Sequence, residues 1–457
     1  MTVDSQTSTP EEAAFYEWLS STGGDISSAV GLKQFDGMGR GAVALRDIDA
    51  DELLFSISRQ VLLTISNSSL PPLLPQEEFS ELNGWTPLIL CMMYESLKSD
   101  STWQSYFALM PAVDSFSSLM WWNEEELKEL QGSMVLDKVG KADADAEFEN
   151  VVKPFVAKHS SVFGDITQYT LERFHWMGSL ILSRSFHVES KVQEEEDDSS
   201  DQEDDDEEEE REDVGDVAMV PMADLLNARY GCDNARLFYE PKTLNMMSTK
   251  PIKKGEQIWN TYAEPPNSDL LRRYGHVDED NGNDLVEVSL KLVADVVGSQ
   301  ATKLDDKQRE ERADFLLDCG IDDTCSIEKD LELPIELLTA IRTFILTEVE
   351  FEKVTKKGTP PKGRLEPDSA KWVMEVLKAR LKEYPTVIEE DERLLQDQNL
   401  TQRKRMAVIV RLGEKRILRD TIDAVKKQIK ELKEESRKKR KGDDDKGGRG
   451  KKAKSGR

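Results

Sequence analysis

Residues 194–213 hold sixteen carboxylates against a single arginine and contain no apolar side chain. A net charge of −15 in that length repels itself and has nothing to bury, so the stretch is expected to stay extended in solvent. Any domain built from chain on both sides must close across it, which makes about 190–214 a disordered surface loop. A second biased stretch, 437–457, holds eleven basic and three acidic residues and reads as a disordered basic tail. Without both, a charge of −22 remains on 416 residues, so the body is acidic in its own right. Such a body repels nucleic-acid phosphate and attracts basic protein surfaces. A lysine-rich protein partner is expected, and direct binding of nucleic acid is not.

The chain has 457 residues, 38% of them hydrophobic, with eight Trp and fifteen Phe. That excludes wholesale disorder and leaves room for two or three domains. The four cysteines, Cys91, Cys232, Cys319 and Cys325, form no CxxC pair and have no His at zinc-ligand spacing. A zinc site and a disulfide framework are therefore not expected. Few cysteines, no N-terminal apolar signal and no long apolar run together suggest a soluble intracellular protein without a membrane span. His159, His175, His187 and His276 share no spacing with acidic or sulfur ligands, and no metal is expected.

Residues 1–9 read as disordered. Thr9-Pro10-Glu11-Glu12 then supplies an N-cap, a proline at the first helical position and a capping box, and Gly23-Gly24 stops the helix. Ala42–Arg46 and Leu53–Ile57 flank the polar turn Asp47–Glu52 and suggest a hairpin. Helical spacing takes over from Thr86 and recurs at 123–131, 143–158 and 170–186, so about 86–186 reads as a helical insertion in a β-rich domain. Beyond residue 300 the spacing is helical at 304–318, 327–348, 368–383 and 388–440, with a Gly/Pro-rich loop at 356–363.

Two stretches place polar residues where strand-like apolar runs do not need them. Asn227 follows Leu225 and Leu226, and Asn260, Thr261 and Tyr262 end the strand-like Gln257–Trp259. Buried amides and phenols are costly unless they hold something, so these points suggest a ligand pocket.

The residues of these stretches carry a resemblance. Gly37-Met-Gly-Arg-Gly41 leads into Ala42–Arg46; Leu182-Ser-Arg-Ser-Phe186 comes next. Met222-Ala-Asp-Leu-Leu-Asn227 with Asn234-Ala235 is the third anchor, and Asn260-Thr-Tyr262 with Tyr274-Gly275 the fourth. In this order and spacing the chain resembles the SET-domain protein-lysine methyltransferases of the Rubisco large-subunit methyltransferase branch. Within that branch it is most similar to the fungal ribosomal lysine methyltransferases of the fourth type and to animal SET-domain-containing protein 6. The match covers roughly residues 10–290 and continues more weakly to about 435. Many members have Asn-His where this chain has Asn227-Ala228. The family contact there is largely through main-chain groups, and the Asn-Ala form resembles the fungal ribosomal subgroup.

The resemblance implies an α+β fold: a β-rich SET domain over 10–290 with a helical insert, then an all-α substrate-binding lobe over 300–435. It implies S-adenosyl-L-methionine as cofactor, Tyr262 as the central catalytic residue, and cofactor contacts from Asp36, Gly37, Met38, Arg184, Asn227, Ala228 and Tyr274. Trp103, Asp224 and Arg184 match positions the family uses toward substrate, although helix packing explains Trp103 as well. The implied activity is protein-lysine N-methylation, with one methyl placed on a large-subunit ribosomal protein. The competing reading is a non-catalytic SET-fold adaptor for lysine-rich ribosomal proteins or histones, in which Ala228 marks a decayed cofactor site. Arg437–Lys441 and Lys451–Lys454 suggest a nuclear-import signal read by an import receptor, hence a nuclear location with the cytoplasm second.

Overall fold

The computed structural model describes residues 9–188, 217–261, 263–367 and 369–447. The expected acidic loop, most of the expected N-terminal disordered residues, residues 448–457 of the tail, and Tyr262 lie outside them. The chain divides into two compact units, each with its own core.

The first unit begins with the helix Pro10–Ser21, started by the capping box read from sequence: Thr9 Oγ accepts the Glu12 N–H, and Glu12 accepts the Thr9 N–H. Its strands are β1 (Asp25–Ile26), β2 (Val30–Phe35), β3 (Gly39–Ala44), β4 (Leu53–Ser58), β5 (Ser185–His187), β6 (Val217–Met219), β7 (Ala235–Tyr239), β8 (Thr243–Ser248) and β9 (Gln257–Ile258). They form an antiparallel sheet β1-β4-β8-β7, a second sheet β2-β3-β9 and the pair β5-β6.

The hairpin expected between Ala42–Arg46 and Leu53–Ile57 does not form. Those segments enter different sheets, and β3 instead turns back on β2 through Asp36–Met38. Gly37 and Gly39 both have φ +71°, the left-handed conformation that a tight strand reversal needs and glycine adopts without strain. Short apolar runs on either side of a polar turn mark two strands, not which strand each pairs with.

The helix Thr86–Leu97 packs on Leu171–Arg184. Glu95 lies almost wholly buried in the first of these. Its carboxylate accepts from Ser68 Oγ, Ser69 N, Ser69 Oγ and Ser101 Oγ at 2.6–3.0 Å, which offsets the cost of burying it.

The second unit gathers 123–138, 265–269 and the chain from Glu279 onward. It contains one strand pair, β10 (Leu285–Ser289) with β11 (Thr324–Glu328). The helical reading of 327–348 thus starts too early, because Cys325 and Ile327 are buried while Ser326 and Glu328 are exposed, a two-residue period. The helix begins at Ile335. The last helix, Gln402–Gly447, runs through 437–447, where composition suggested a disordered tail. Arg437–Lys441 continue the run of good helix formers before them, and no proline interrupts the stretch.

Charged side chains in the interior join the pieces of this unit. Arg411, 2% exposed, makes paired bonds to Asp391 at 3.0 and 2.8 Å and reaches the Glu129 carboxylate at 2.9 Å. Lys415 Nζ donates to the same Asp391 at 2.6 Å. Arg380 donates to Gly132 O at 2.6 Å, and Glu414 accepts from Ser133 Oγ and Tyr384 OH, each at 2.6 Å.

Burial pushes the Glu414 carboxyl up to about 7, against the pull of Arg380 and its two hydrogen-bond donors. Its folded value lies above its unfolded one, so its contribution to stability is complete below about pH 4.5 and is lost as pH rises through about 7. Glu414→Gln should therefore gain stability relative to the parent between pH 5.5 and pH 8, by on the order of 2 kcal/mol in urea unfolding. A parent-to-variant difference that stays flat across that range would refute this.

Candidate active site

The site is assembled at β9, a strand of only two residues that needs support beyond its pairing with β3. Asn234 provides it. Its Nδ2 donates to Gln257 O at 3.0 Å, and its Oδ1 accepts the Trp259 N–H at 2.7 Å. The main-chain N–H groups of Asn234 and Ala235 both donate to Trp259 O. A side-chain amide thus does for residues 257–259 what a neighbouring strand would do.

One step further along, Asn260 N donates to Asn227 O at 3.0 Å, and Ala228 forms a parallel bridge with Asn260. The two polar motifs read from sequence are therefore joined through their backbones. The Asn227 side chain is left with a buried Nδ2 that has no hydrogen-bond partner, and the Gln257 Nε2 is in the same state. Both meet at Gly41 of β3, where an added Cβ would lie 2.6 Å from the first and 2.9 Å from the second. A side chain there would push both amide ends aside, which is what the anchor Gly37–Gly41 contributes beyond its turn.

A second cluster lies at the end of the helix Leu171–Arg184. Arg184 Nη1 donates to the main-chain oxygen of Asp224, while its Nε is buried without a partner. Asp224 Oδ2 accepts from Tyr106 OH, and Oδ1 is buried without a partner. Burial pushes the Asp224 carboxyl up to about 7, although the Arg184 charge and the Tyr106 hydroxyl pull it down. Tyr106, wholly buried beside that carboxylate, is held well above its ordinary range by desolvation and then by the Asp224 charge.

Unpartnered buried donors and acceptors each cost about 1–3 kcal/mol, and native interiors contain few of them. Here Asn227 Nδ2, Gln257 Nε2 and Arg184 Nε are donors and Asp224 Oδ1 is an acceptor. The set suits a ligand with a carboxylate, an amine and heteroatom edges. Backbone strain sits at the same places: Met222 has φ +79° and Ala263 φ +60°, both unusual for residues with a side chain. Such strain persists only where the surroundings over-determine it, and it clusters at functional sites.

The remaining predicted residues fall as follows. Asp36, Gly37 and Met38 form the exposed turn of the β2–β3 hairpin, whose second strand contains Gly41. Trp103 is a core side chain, 4% exposed, with its indole N–H donating to Val61 O at 2.8 Å. Its role toward substrate rests on the resemblance alone. Tyr274 ends the π-helical turn Leu270–Tyr274 and is half-buried, its ring 6.1 Å from that of His276. Gly275 follows with φ +73°, and an added Cβ would lie 2.5 Å from Ser118 N, so no other residue fits. Tyr262 lies outside the described residues.

Three participants were not picked out as site residues from sequence: Gln257, Asn234 and Tyr106. A polar residue beside Ile258 and Trp259 in a strand-like run was an available signal for Gln257, of the same kind that marked Asn227. Nothing local distinguishes Tyr106 from a packing tyrosine.

Known proteins resemble this chain in sequence and in fold. Residues 303–418 match the family described as Rubisco LSMT substrate-binding. The human N-lysine methyltransferase SETD6 is 30% identical over 415 residues, 84% of this chain and 84% of that protein. Ribosomal lysine N-methyltransferase 4 of Saccharomyces cerevisiae is 33% identical over 292 residues, 62% of this chain; the match spans 59% of the yeast protein. Among solved structures, the SET domain of LSMT bound to lysine and AdoHcy superimposes with a TM-score of 0.68 at 24% identity, covering 93% of each chain. Rubisco LSMT bound to AdoMet does so with a TM-score of 0.66 at 23% identity.

Tyr106→Phe removes one hydroxyl from the Asp224 cluster and should raise the Asp224 carboxyl further. Because its folded value already exceeds the unfolded 3.8, stability is lost as pH rises through the folded value, and the variant loses more. Urea unfolding should show a loss of about 1–3 kcal/mol at pH 8 and a smaller one at pH 6. An equal loss at both would mean that the hydroxyl does not act on this carboxylate.

Proposed function

Because the chain belongs to the SET-domain protein-lysine methyltransferases of the Rubisco large-subunit methyltransferase branch, we propose that it is an S-adenosylmethionine-dependent enzyme that methylates the side-chain amine of a lysine in a basic protein. The observation that carries the cofactor reading is the convergence of the unpartnered Asn227 and Gln257 amides on Gly41. In this reading Asn227, the Ala228 backbone and Arg184 hold the cofactor, together with main-chain groups of Asp36–Met38. The missing imidazole at Ala228 is compatible with it, since Ala228 meets Asn260 through the backbone.

When bound, S-adenosylmethionine supplies an electrophilic methyl on a sulfonium. The chain has to deliver a neutral amine in line with that methyl. A free lysine, with a pKa of about 10.4, is only about one part in a thousand neutral near pH 7.4. Desolvation and the Arg184 guanidinium both favour the neutral amine, and neutral amide donors do not oppose it. Tyr262 is the phenol assigned by the resemblance to orient acceptor nitrogen and methyl. Held geometry supplies much of the remaining acceleration.

The finer reading is transfer of one methyl to a large-subunit ribosomal protein. The yeast relative's name and the acidic body, which draws basic surfaces, support it. The basic clusters Arg437–Lys441 and Lys451–Lys454 support recognition by a nuclear-import receptor and a nuclear location, with the cytoplasm second.

Calorimetric titration with S-adenosylmethionine tests the central reading: a binding heat is expected, and its absence would instead favour the non-catalytic adaptor. Gly41→Ala should weaken that binding at least about tenfold, because the added methyl displaces both amides. Tyr262→Phe should leave binding nearly intact and slow transfer about a hundredfold or more. A Tyr262→Phe protein with over half the parental rate would remove that residue from the chemistry.

A further inference from the structure

Glu12 lies on the buried face of the helix Pro10–Ser21. Phe15 and Leu19, which share that face, are wholly buried in the core of the first unit. Glu12 itself is 8% exposed. A carboxylate is costly at such a position unless its oxygens are occupied. Here both are occupied. Oε2 accepts the Thr9 main-chain N–H at 3.1 Å, and Oε1 accepts from Arg40 Nε at 3.3 Å. The capping box that starts the helix thus also fixes the carboxylate that receives Arg40.

Arg40 stands in β3 between Gly39 and Gly41. Successive residues of a strand face opposite sides of its sheet, so the Arg40 side chain leaves β3 on the face away from Gly41's. Their surroundings differ accordingly. A Cβ at Gly41 would meet the Asn227 and Gln257 amides, whereas Arg40 reaches Glu12 and, through Nη1, the Leu109 main-chain oxygen at 2.7 Å. Leu109 follows the helix Gln104–Phe107, which contains Tyr106 and packs on Pro10–Ser21. The Leu109 N–H donates in turn to Tyr106 O at 3.0 Å. One guanidinium therefore ties β3 to both helices from the side opposite the site.

The turn that Arg40 borders needs such a hold. Asp36, Gly37 and Met38 are exposed, and Gly37 and Gly39 give the backbone more freedom than other residues would. A turn that is ordered before binding loses less freedom on binding, so releasing it lowers affinity without removing a contact.

We propose that Arg40 is a positioning residue for the cofactor: anchored on Glu12 and on the Leu109 carbonyl, it sets the place of the β2–β3 turn and of Gly41, and with them the affinity for S-adenosylmethionine. This rests on the proposed function, which assigns Asp36–Met38 and Asn227 to that cofactor. Arg40 faces away from the site and acts through the strand.

The experiment uses the full chain. Calorimetry gives the S-adenosylmethionine Kd, and thermal unfolding the Tm, of the parent, Arg40→Ala, Arg40→Lys, Glu12→Gln, the Arg40→Ala/Glu12→Gln double variant and Thr9→Ala. Arg40→Ala should weaken binding about tenfold and Glu12→Gln about three- to tenfold, with the double variant no weaker than Arg40→Ala, as two ends of one link require. Arg40→Lys keeps a cation for Glu12 and should bind within about threefold of the parent. Thr9→Ala removes the hydroxyl that accepts the Glu12 N–H but keeps the main-chain bond to Oε2, so Tm should fall while Kd stays parental. Parental affinity in Arg40→Ala, additive losses in the double variant, a lysine no better than alanine, or an affinity that falls with Tm in Thr9→Ala would overturn the proposal. If Arg40→Ala proves unfolded, Glu12→Gln carries the test, and parental affinity there overturns it. A parent protein that gives no heat with S-adenosylmethionine would instead overturn the function on which it rests.

Discussion

Asn234 presents its side chain to residues 257–259 as a strand would present its backbone, one donor to Gln257 O and one acceptor to the Trp259 N–H. A two-residue strand has little pairing of its own to hold it, and β9 is such a strand. That amide supplements the few backbone bonds that hold Gln257 over Gly41 and Asn260 against Ala228. The unpartnered Gln257 amide beside Gly41 sits on the strand that this placement supports. A glutamine or aspartate could not replace it, the first for length and the second for want of a donor.

The second unit meets a different difficulty with a similar device. Three separate stretches of chain must be brought together, and short stretches carry too little apolar surface to dock alone. The segment 123–138 is held by Arg411 on Glu129, Arg380 on the Gly132 carbonyl and Glu414 on Ser133. Buried ion pairs contribute little net stability once desolvation is counted, but an unpaired one is expensive. They therefore select one docking geometry over others more than they add to stability. The same logic places Asn281 and Asp284 on Pro265 and Asn267.

Charge acts on two scales here. An acidic body of this kind would draw the basic protein substrate proposed above from a distance, but a carboxylate close to the acceptor amine would keep it protonated. In the proposed reading the groups assigned to the site lessen that conflict: neutral amides from Asn227 and Gln257 and a guanidinium from Arg184. Long-range attraction and local chemistry are thus served by different groups.

What was legible in one dimension was local. The capping box at Thr9–Glu12, the glycines of the β2–β3 turn and the amphipathic helices depend on neighbours within a few residues, and periodicity reports them. Asn227 and Asn260 stood out for the same reason, as polar groups beside apolar ones. Strand partners were not legible: β3 and β4 both read as short apolar strand-like runs, yet one pairs with β2 and β9 and the other with β1 and β8. Nor was the meaning of Gly41, Gln257, Tyr106 or Gly413. Each of these matters because of an atom far away in the chain, an amide over a glycine, a hydroxyl on a carboxylate, a missing methyl beside Asp284. Burial converts such a proximity into a large free energy, and burial exists only once the chain has closed on itself.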